Sequence, residues 1–240
     1  MSTGSVTIVI PTYNEAVNLP ELVRRIMALG IADLRILFVD DNSPDGTADL
    51  AERLSQEHGG QIAVLRRPGK MGLGTAYIAG FREALKTGAQ YIIEMDADLS
   101  HAPEDLPKLL KAMDTCDVAV GSRWTQGGGA DKSWGIVRRS VSKGGSLFAR
   151  VVLGLRVEDT TTGFKCLRRQ VIEAIDWEKV KSQGFAFQVE VAYACQRRGY
   201  RIVELPITFA NRAKGKSKMS LGIVLEAFRR VISIRLKSHA

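Results

Sequence analysis

The chain has 240 residues, of which 45% are hydrophobic and 25% charged, with a net charge of +8. That is ordinary globular composition, enough for one large α/β domain, and no run approaches the roughly 18–20 apolar residues that a membrane span needs. The three cysteines, Cys116, Cys166 and Cys195, are odd in number and far apart, which excludes a disulfide framework or a zinc site and fits a reducing compartment.

The N-terminus lacks a basic region before its short apolar run, so it reads as a first strand and not a signal peptide. That strand, Val6–Ile10, is expected to end at Pro11. "NLPELVRRIMAL" has helical spacing, "LRILFVD" is a second strand, and a helix follows from near Thr47. "IAVLRR", "YIIEMD" and "DVAVGSR" are further strands, with helices predicted over "LGTAYIAGFREALKTG" and "PEDLPKLLKAM". Strands apolar throughout and alternating with helices predict a mostly parallel sheet covered on both faces. Gly127–Gly129 reads as a mobile loop. Residues 136–155 place Val137, Val141, Phe148, Val151, Val152 and Leu155 on one helical face, flanked by Arg138, Arg139, Lys143 and Arg150. A helix near "FQVEVAYACQRRG", a strand "RIVELPITF" and a final basic amphipathic helix complete the chain. Two basic amphipathic helices can either pack on the sheet or lie on an anionic membrane.

In parallel sheets ligands bind beyond the carboxyl ends of the strands. Here those ends carry "PTYNE", "DDNSPDG", "RRPGKMGLG", "MDADLS" and "GSRW". A dinucleotide G-x-G-x-x-G is missing after the first strand, which argues against an oxidoreductase. Asp96 and Asp98, two residues apart at a strand end, face the same way and repel unless a cation sits beside them. An arginine, a lysine or a divalent metal would serve. With hard oxygens and no His/Cys cluster, Mg²⁺ or Mn²⁺ is the expected metal; the alternative is a helix cap at Asp98 and an ion pair at Asp96.

"PTYNE", "VDDNSPDGT", "GLGTA", "MDADLSH" and "GSR", in that order, resemble the family 2 glycosyltransferases, which have the GT-A fold. "WGIVRRSVSKGG", "DTTTGF" and "NRAKGKSK" are similar to one branch, the polyprenol-phosphate mannose synthases. The resemblance covers nearly the whole chain. It implies a single Rossmann-like GT-A domain over 1–210, within which 136–155 faces acceptor or membrane, then a basic loop and amphipathic helix over 211–240. It implies inverting, metal-dependent transfer of mannose from GDP-mannose to a polyprenyl monophosphate. Carried over by motif, Pro11, Tyr13, Glu15, Val39 and Asp41 hold the nucleoside, and Asp96, Ala97 and Asp98 bind the donor and its metal, Asp96 and Asp98 being the ligands. Arg123, Arg212 and Lys218 meet donor or acceptor phosphates, and Arg138 and Ser142, with Arg123, take the lipid phosphate. Asp98 and Arg123 are the expected catalytic residues. Ser100 stands where some relatives have glutamine, so a third side-chain ligand is not expected there.

The chemistry agrees with this assignment. A polyprenyl monophosphate is already ionised near pH 7 and needs no general base, so the protein must instead gather cations around two anions. Asp159 is then expected to position an arginine or substrate groups, and His101 to start a helix. Membrane spans carried by larger relatives are absent, which leaves attachment to the chain's own helices or to an anchoring partner, at the cytoplasmic face of a membrane. Transfer of glucose from UDP-glucose to the same acceptor is the alternative within enzymes. A non-catalytic basic module binding lipid or nucleic acid is the alternative outside them, although the chain lacks the aromatic stacking motifs of RNA binders, and nucleic acid is not an expected partner.

Overall fold

In the computed structural model, residues 4–131, 133–211 and 221–237 are described. The first half runs β1 (Val6–Thr12), α1 (Leu19–Met27), β2 (Leu34–Asp40), α2 (Thr47–Glu57), β3 (Ile62–Arg66), α3 (Leu73–Lys86) and β4 (Tyr91–Glu94). A short 3₁₀ turn, Pro103–Asp105, then leads into α4 (Leu106–Ala112) and β5 (Val118–Ser122). The second half has β6 (Gly129–Ala130), α5 (Ile136–Leu153), β7 (Lys165–Arg168), α6 (Arg169–Ala174), α7 (Gly184–Arg197), β8 (Ile202–Pro206), β9 (Thr208–Phe209) and α8 (Leu221–Lys237).

Seven strands form one sheet in the order β3-β2-β1-β4-β7-β5-β8, and β6 pairs with β9 in a separate ladder. All neighbours in the large sheet run parallel except β7, which is antiparallel to both β4 and β5. The chain moves outward from β1 to β2 and β3, then returns to the other side of β1 as β4. The loops leaving β1 and β4 therefore diverge at a topological switch point, where such sheets bind ligands.

Alternation along the strands builds two cores. Ile8, Ile10, Ile36 and Phe38 pack beneath α1, α2 and α4, whereas Val9, Leu37, Val39 and Ile92 pack beneath α3, α6 and α7. The helix α3 lies so close to the sheet that a Cβ at Gly80 would stand 2.3 Å from Val9 Cγ1. Any side chain there would push α3, and the loop before it, off β1. A third, smaller core joins α5, α7 and α8 through Ala149, Leu153, Val189, Tyr193, Val231 and Ile234, with Phe148 and Phe228 in edge contact at 4.3 Å.

Four expectations need correction. Pro11 does not end β1, which continues through Thr12: a proline lacks only the N–H, and Pro11 still sits opposite Val39 in the ladder. The glycine stretch is not simply a loop, because Gly129 pairs with Thr208. "RIVELPITF" is not one strand but two in different sheets, with Ile207 between them. And α5 does not bury the whole apolar face read from the sequence. Leu155, just past its end, is buried, yet Val137 and Val151 are 77% and 75% exposed, because α8 and α7 cover only the side carrying Ser146, Ala149 and Leu153.

Candidate active site

The first two loops meet at the carboxyl ends of β1 and β2. Asn14 and Asn42 both adopt left-handed backbone conformations, which asparagine tolerates better than most residues. The loops are tied together by side chains: Asn14 N–H donates to Ser43 Oγ at 3.0 Å and Glu15 N–H to Thr47 Oγ1 at 3.0 Å. Of the two acids ending β2, Asp40 is consumed internally, accepting from Thr12 Oγ1, Ser43 N and Ser43 Oγ. Asp41 instead makes an ion pair with Arg67 at 2.8 Å, both side chains being buried. Burial pushes the Asp41 carboxyl up, against the pull of Arg67. Lys70 stands 4.5 Å over the ring of Tyr13. Tyr13, Glu15 and Pro11 are half-buried at this edge. Val39 is not at a surface: its side chain is buried in the core beneath α3.

The acidic segment leaves β4 across the switch point. Leu99, between Asp98 and Ser100, is held at φ 62°, a strained conformation for leucine. Asp98 is buried and its Oδ1 accepts from both Ser100 N–H (3.1 Å) and Ser100 Oγ (2.5 Å). Ser100 thus orients Asp98. Asp96 is a third exposed, and Tyr77 Oη donates to its Oδ1 at 3.4 Å. The Asp96 N–H donates to Nδ1 of His101, which is fully buried between Phe164 (4.9 Å) and Phe209 (5.1 Å). Burial draws His101 down to about 4, so its ring is neutral at physiological pH and serves as an acceptor for the loop backbone rather than as a helix start. Ala97 packs into the core between the two acids.

Beneath this segment lies a buried polar cluster. Lys165 Nζ donates to Thr162 O and to Gln188 Oε1 and stands 3.7 Å from Glu94. Burial raises Glu94 and lowers Lys165, each partly opposed by the other. The cluster fixes the loop after Asp159 against β4, so that a Cβ on Gly163 would lie 3.5 Å from Asp96 Oδ1.

Arg123 follows β5 directly and meets Asp159 as a two-pronged pair. Nε donates to Oδ2 at 2.7 Å and Nη2 to Oδ1 at 2.7 Å, and the Arg123 backbone N–H adds a third bond to Oδ2 at 2.9 Å. Asp159 is fully buried and Arg123 nearly so. Trp124, Trp134 and Phe209 ring the guanidinium at 5.5, 5.9 and 5.2 Å. Arg138, on the first turn of α5, stacks on Trp134 at 3.8 Å. Asp96, His101, Arg123, Arg138 and Ser142 line one cavity of about 420 Å³. Its far wall is apolar, built from Val141 and Phe148 of α5, Phe185 and Val189 of α7, and Phe228 and Val231 of α8. Arg212 and Lys218 lie outside the described residues.

Residues 7–176 match the model of glycosyl transferase family 2. The chain belongs to this family. It is 46% identical to an undecaprenyl-phosphate mannosyltransferase of Micrococcus luteus, over 91% of this chain and 89% of that protein. It is 43% identical to a polyprenol monophosphomannose synthase of Mycolicibacterium smegmatis, covering 93% and 84% of the two. A dolichol-phosphate mannosyltransferase of Pyrococcus furiosus is 38% identical, but the chain spans only 62% of its length. Among solved structures, glucosyl-3-phosphoglycerate synthase from Mycobacterium tuberculosis, in complex with Mn²⁺, UDP and its product, superposes with a TM-score of 0.67 at 18% identity. That likeness covers 98% of this chain and 79% of the other, and at such identity it speaks to the fold alone, the GT-A fold expected from the sequence.

Several residues of this glycosyltransferase site escape a sequence reading. Arg67, Trp134 and Thr161 lie inside the stretches "RRPGKMGLG", "WGIVRRSVSKGG" and "DTTTGF" but are not marked out there by residue type, and, like Lys165 and Phe209, they gain their roles from long-range packing.

Proposed function

We propose that this glycosyltransferase moves mannose from GDP-mannose to a polyprenyl monophosphate, inverting the anomeric centre and releasing GDP. One observation carries the acceptor assignment: a single cavity runs from Asp96, Arg123 and Arg138 to an apolar wall of α5, α7 and α8. A phosphate at the cationic end and an isoprenoid chain along the wall would match both its ends. The names of the relatives from Micrococcus luteus and Mycolicibacterium smegmatis support the same acceptor and the mannosyl group.

In this reading Tyr13, Glu15, Asp41 and Arg67 hold the nucleoside end of the donor. Asp96 and Asp98 fit a divalent cation: both offer hard carboxylate oxygens, and Ser100 fixes the rotamer of Asp98. Among the described residues no third His, Cys, Asp or Glu joins them, which suits Mg²⁺ or Mn²⁺ held by two carboxylates together with substrate phosphates. Such an ion would offset the charge that grows on the departing diphosphate. Arg123 and Arg138 bring the acceptor phosphate to the opposite face of the sugar. A phosphate oxygen then bonds to the anomeric carbon as the bond to the donor β-phosphate breaks. No side chain need take a proton, and Asp159 is not placed to do so, since both its oxygens accept from Arg123.

No helix among the described residues is long and apolar enough to cross a membrane. Exposed Ile136, Val137, Leu147 and Val151 on α5, with Ile232 and Leu236 on α8, supply an apolar surface beside Arg139, Lys143 and Arg235. This surface would rest on an anionic membrane that presents the lipid to the cavity. The decisive experiment is incubation with radiolabelled GDP-mannose or UDP-glucose, a short polyprenyl phosphate and Mn²⁺, followed by lipid extraction. Label in the lipid from GDP-mannose is expected. Label from UDP-glucose alone would reassign the donor, and label from neither would reject the transferase reading.

A further inference from the structure

The loop that carries Asp159 has no strand partner at the point where its position matters most. Between the end of α5 and the start of β7, the backbone N–H groups of Glu158 and Asp159 donate to a side chain on β8. Glu158 N–H meets Oε2 of Glu204 at 2.7 Å, and Asp159 N–H meets Oε1 of the same carboxylate at 2.9 Å. The next link is the Asp159 carboxylate itself, whose two oxygens hold the Arg123 guanidinium and backbone. Arg123 lines the catalytic cavity, but Glu204 does not. Glu204 stands on the sheet's edge strand and borders a separate, open cleft of about 630 Å³, together with Arg156, Arg197 and Arg201. Among the described residues Glu204 forms no ion pair with these arginines, and its two oxygens are spent on the two N–H groups.

We propose that Glu204 is a positioning residue: from outside the cavity it sets the direction of Arg123, through Asp159, toward the acceptor phosphate. This rests on the reading of Arg123 as a phosphate-facing group. Side-chain chemistry makes the choice of residue specific. Two adjacent backbone donors need two acceptors at carboxylate spacing. Glutamine offers one acceptor and turns an NH₂ toward the second N–H, so it breaks one bond and sets donor against donor. Aspartate keeps both acceptors on a shorter stem. The donor-side residues Tyr13, Asp41 and Arg67 lie at the ends of β1, β2 and β3, with β4, β7 and β5 intervening, and do not share this chain of contacts.

The test uses the full-length chain and the variants E204Q, E204D and D159N, with farnesyl phosphate as acceptor. The first readout is the KM for each substrate in labelled transfer. E204Q is expected to raise the acceptor KM about tenfold, while the donor KM stays within about twofold. E204D is expected to recover part of the loss, and E204Q is expected to add little in a D159N background, because both act through Arg123. The second readout is the Arg123 Nε–H signal in ¹⁵N NMR, which needs no turnover. A buried, paired Nε–H exchanges slowly, and E204Q is expected to shift it and speed its exchange. If the unaltered chain labels no lipid, the proposed function fails and the NMR signal alone decides the role of Glu204. An Arg123 signal unmoved by E204Q, or donor and acceptor KM rising together, would overturn the proposal.

Discussion

Two buried arginine–aspartate pairs stand at opposite ends of the site, and they are built differently. On the side proposed to hold the donor, Arg67 reaches Asp41 through one nitrogen, and burial holds the Asp41 carboxyl above its ordinary value. On the side proposed to hold the acceptor, Arg123 grips Asp159 with both prongs and its own backbone N–H, and the acid is fully enclosed. The first pair leaves an acid under electrostatic tension, suited to meeting a neutral donor group such as a nucleoside hydroxyl or base N–H. The second saturates its acid and turns it into a fixture. In the proposed function the same two residue types would give a recognition group in one place and a scaffold in the other, the difference lying in how many oxygens are already satisfied.

The contrast can be broken most forcefully at Asp159. D159A would leave the Arg123 charge buried without its partner, a loss of about 3–5 kcal/mol, and Tm in thermal unfolding should fall by roughly 10 °C. An unchanged Tm would show that the pair carries no structural load. Next comes D41N. It should weaken GDP binding about tenfold in calorimetry, through loss of one charged partner. The same variant should also change how the ligand-free protein's stability depends on pH, on top of the cost of leaving the buried Arg67 without its charged partner. Here the sign follows from the raised carboxyl: the folded state holds the proton more tightly than the unfolded chain, so this group costs stability as pH rises above the ordinary aspartate value of about 3.9. D41N should therefore flatten the fall in Tm over that range, and a steeper fall would contradict the assignment. R138A should raise acceptor KM about tenfold with a Tm lower by about 3 °C, since the half-buried Arg138 loses its stacking on Trp134. The smallest stability effect is expected from V137D/V151D, whose exposed sites predict a Tm shift within about 2 °C but loss of flotation with anionic vesicles.

The parallel half of the sheet was legible because its strands are apolar on both faces and its helices keep a 3.6-residue period. β7 was not, for a physical reason: Lys165 and Arg168 are carried there by partners distant in sequence. Lys165 is sheltered by Glu94, Gln188 and Thr162, and Arg168 donates to the carbonyl oxygens of Met113 and Cys116. The same holds within the site. Asp96 and Asp98 stand out because two acids at a strand end need an explanation. Arg67 looks like any other arginine until β3 is laid beside β2 and Asp41 comes within reach. From the sequence Asp159 is expected to position an arginine or substrate groups, and only the fold reveals that it holds Arg123 and that Glu204 holds the loop behind it.

In the proposed mechanism Asp159 anchors Arg123 and takes no proton from the acceptor. The direct measurement is kcat and acceptor KM for D159N with labelled GDP-mannose and a short polyprenyl phosphate. A kcat within about tenfold of the unaltered protein and a raised acceptor KM are expected. A kcat reduced by about 10³-fold or more at an unchanged acceptor KM would make Asp159 a base and contradict it.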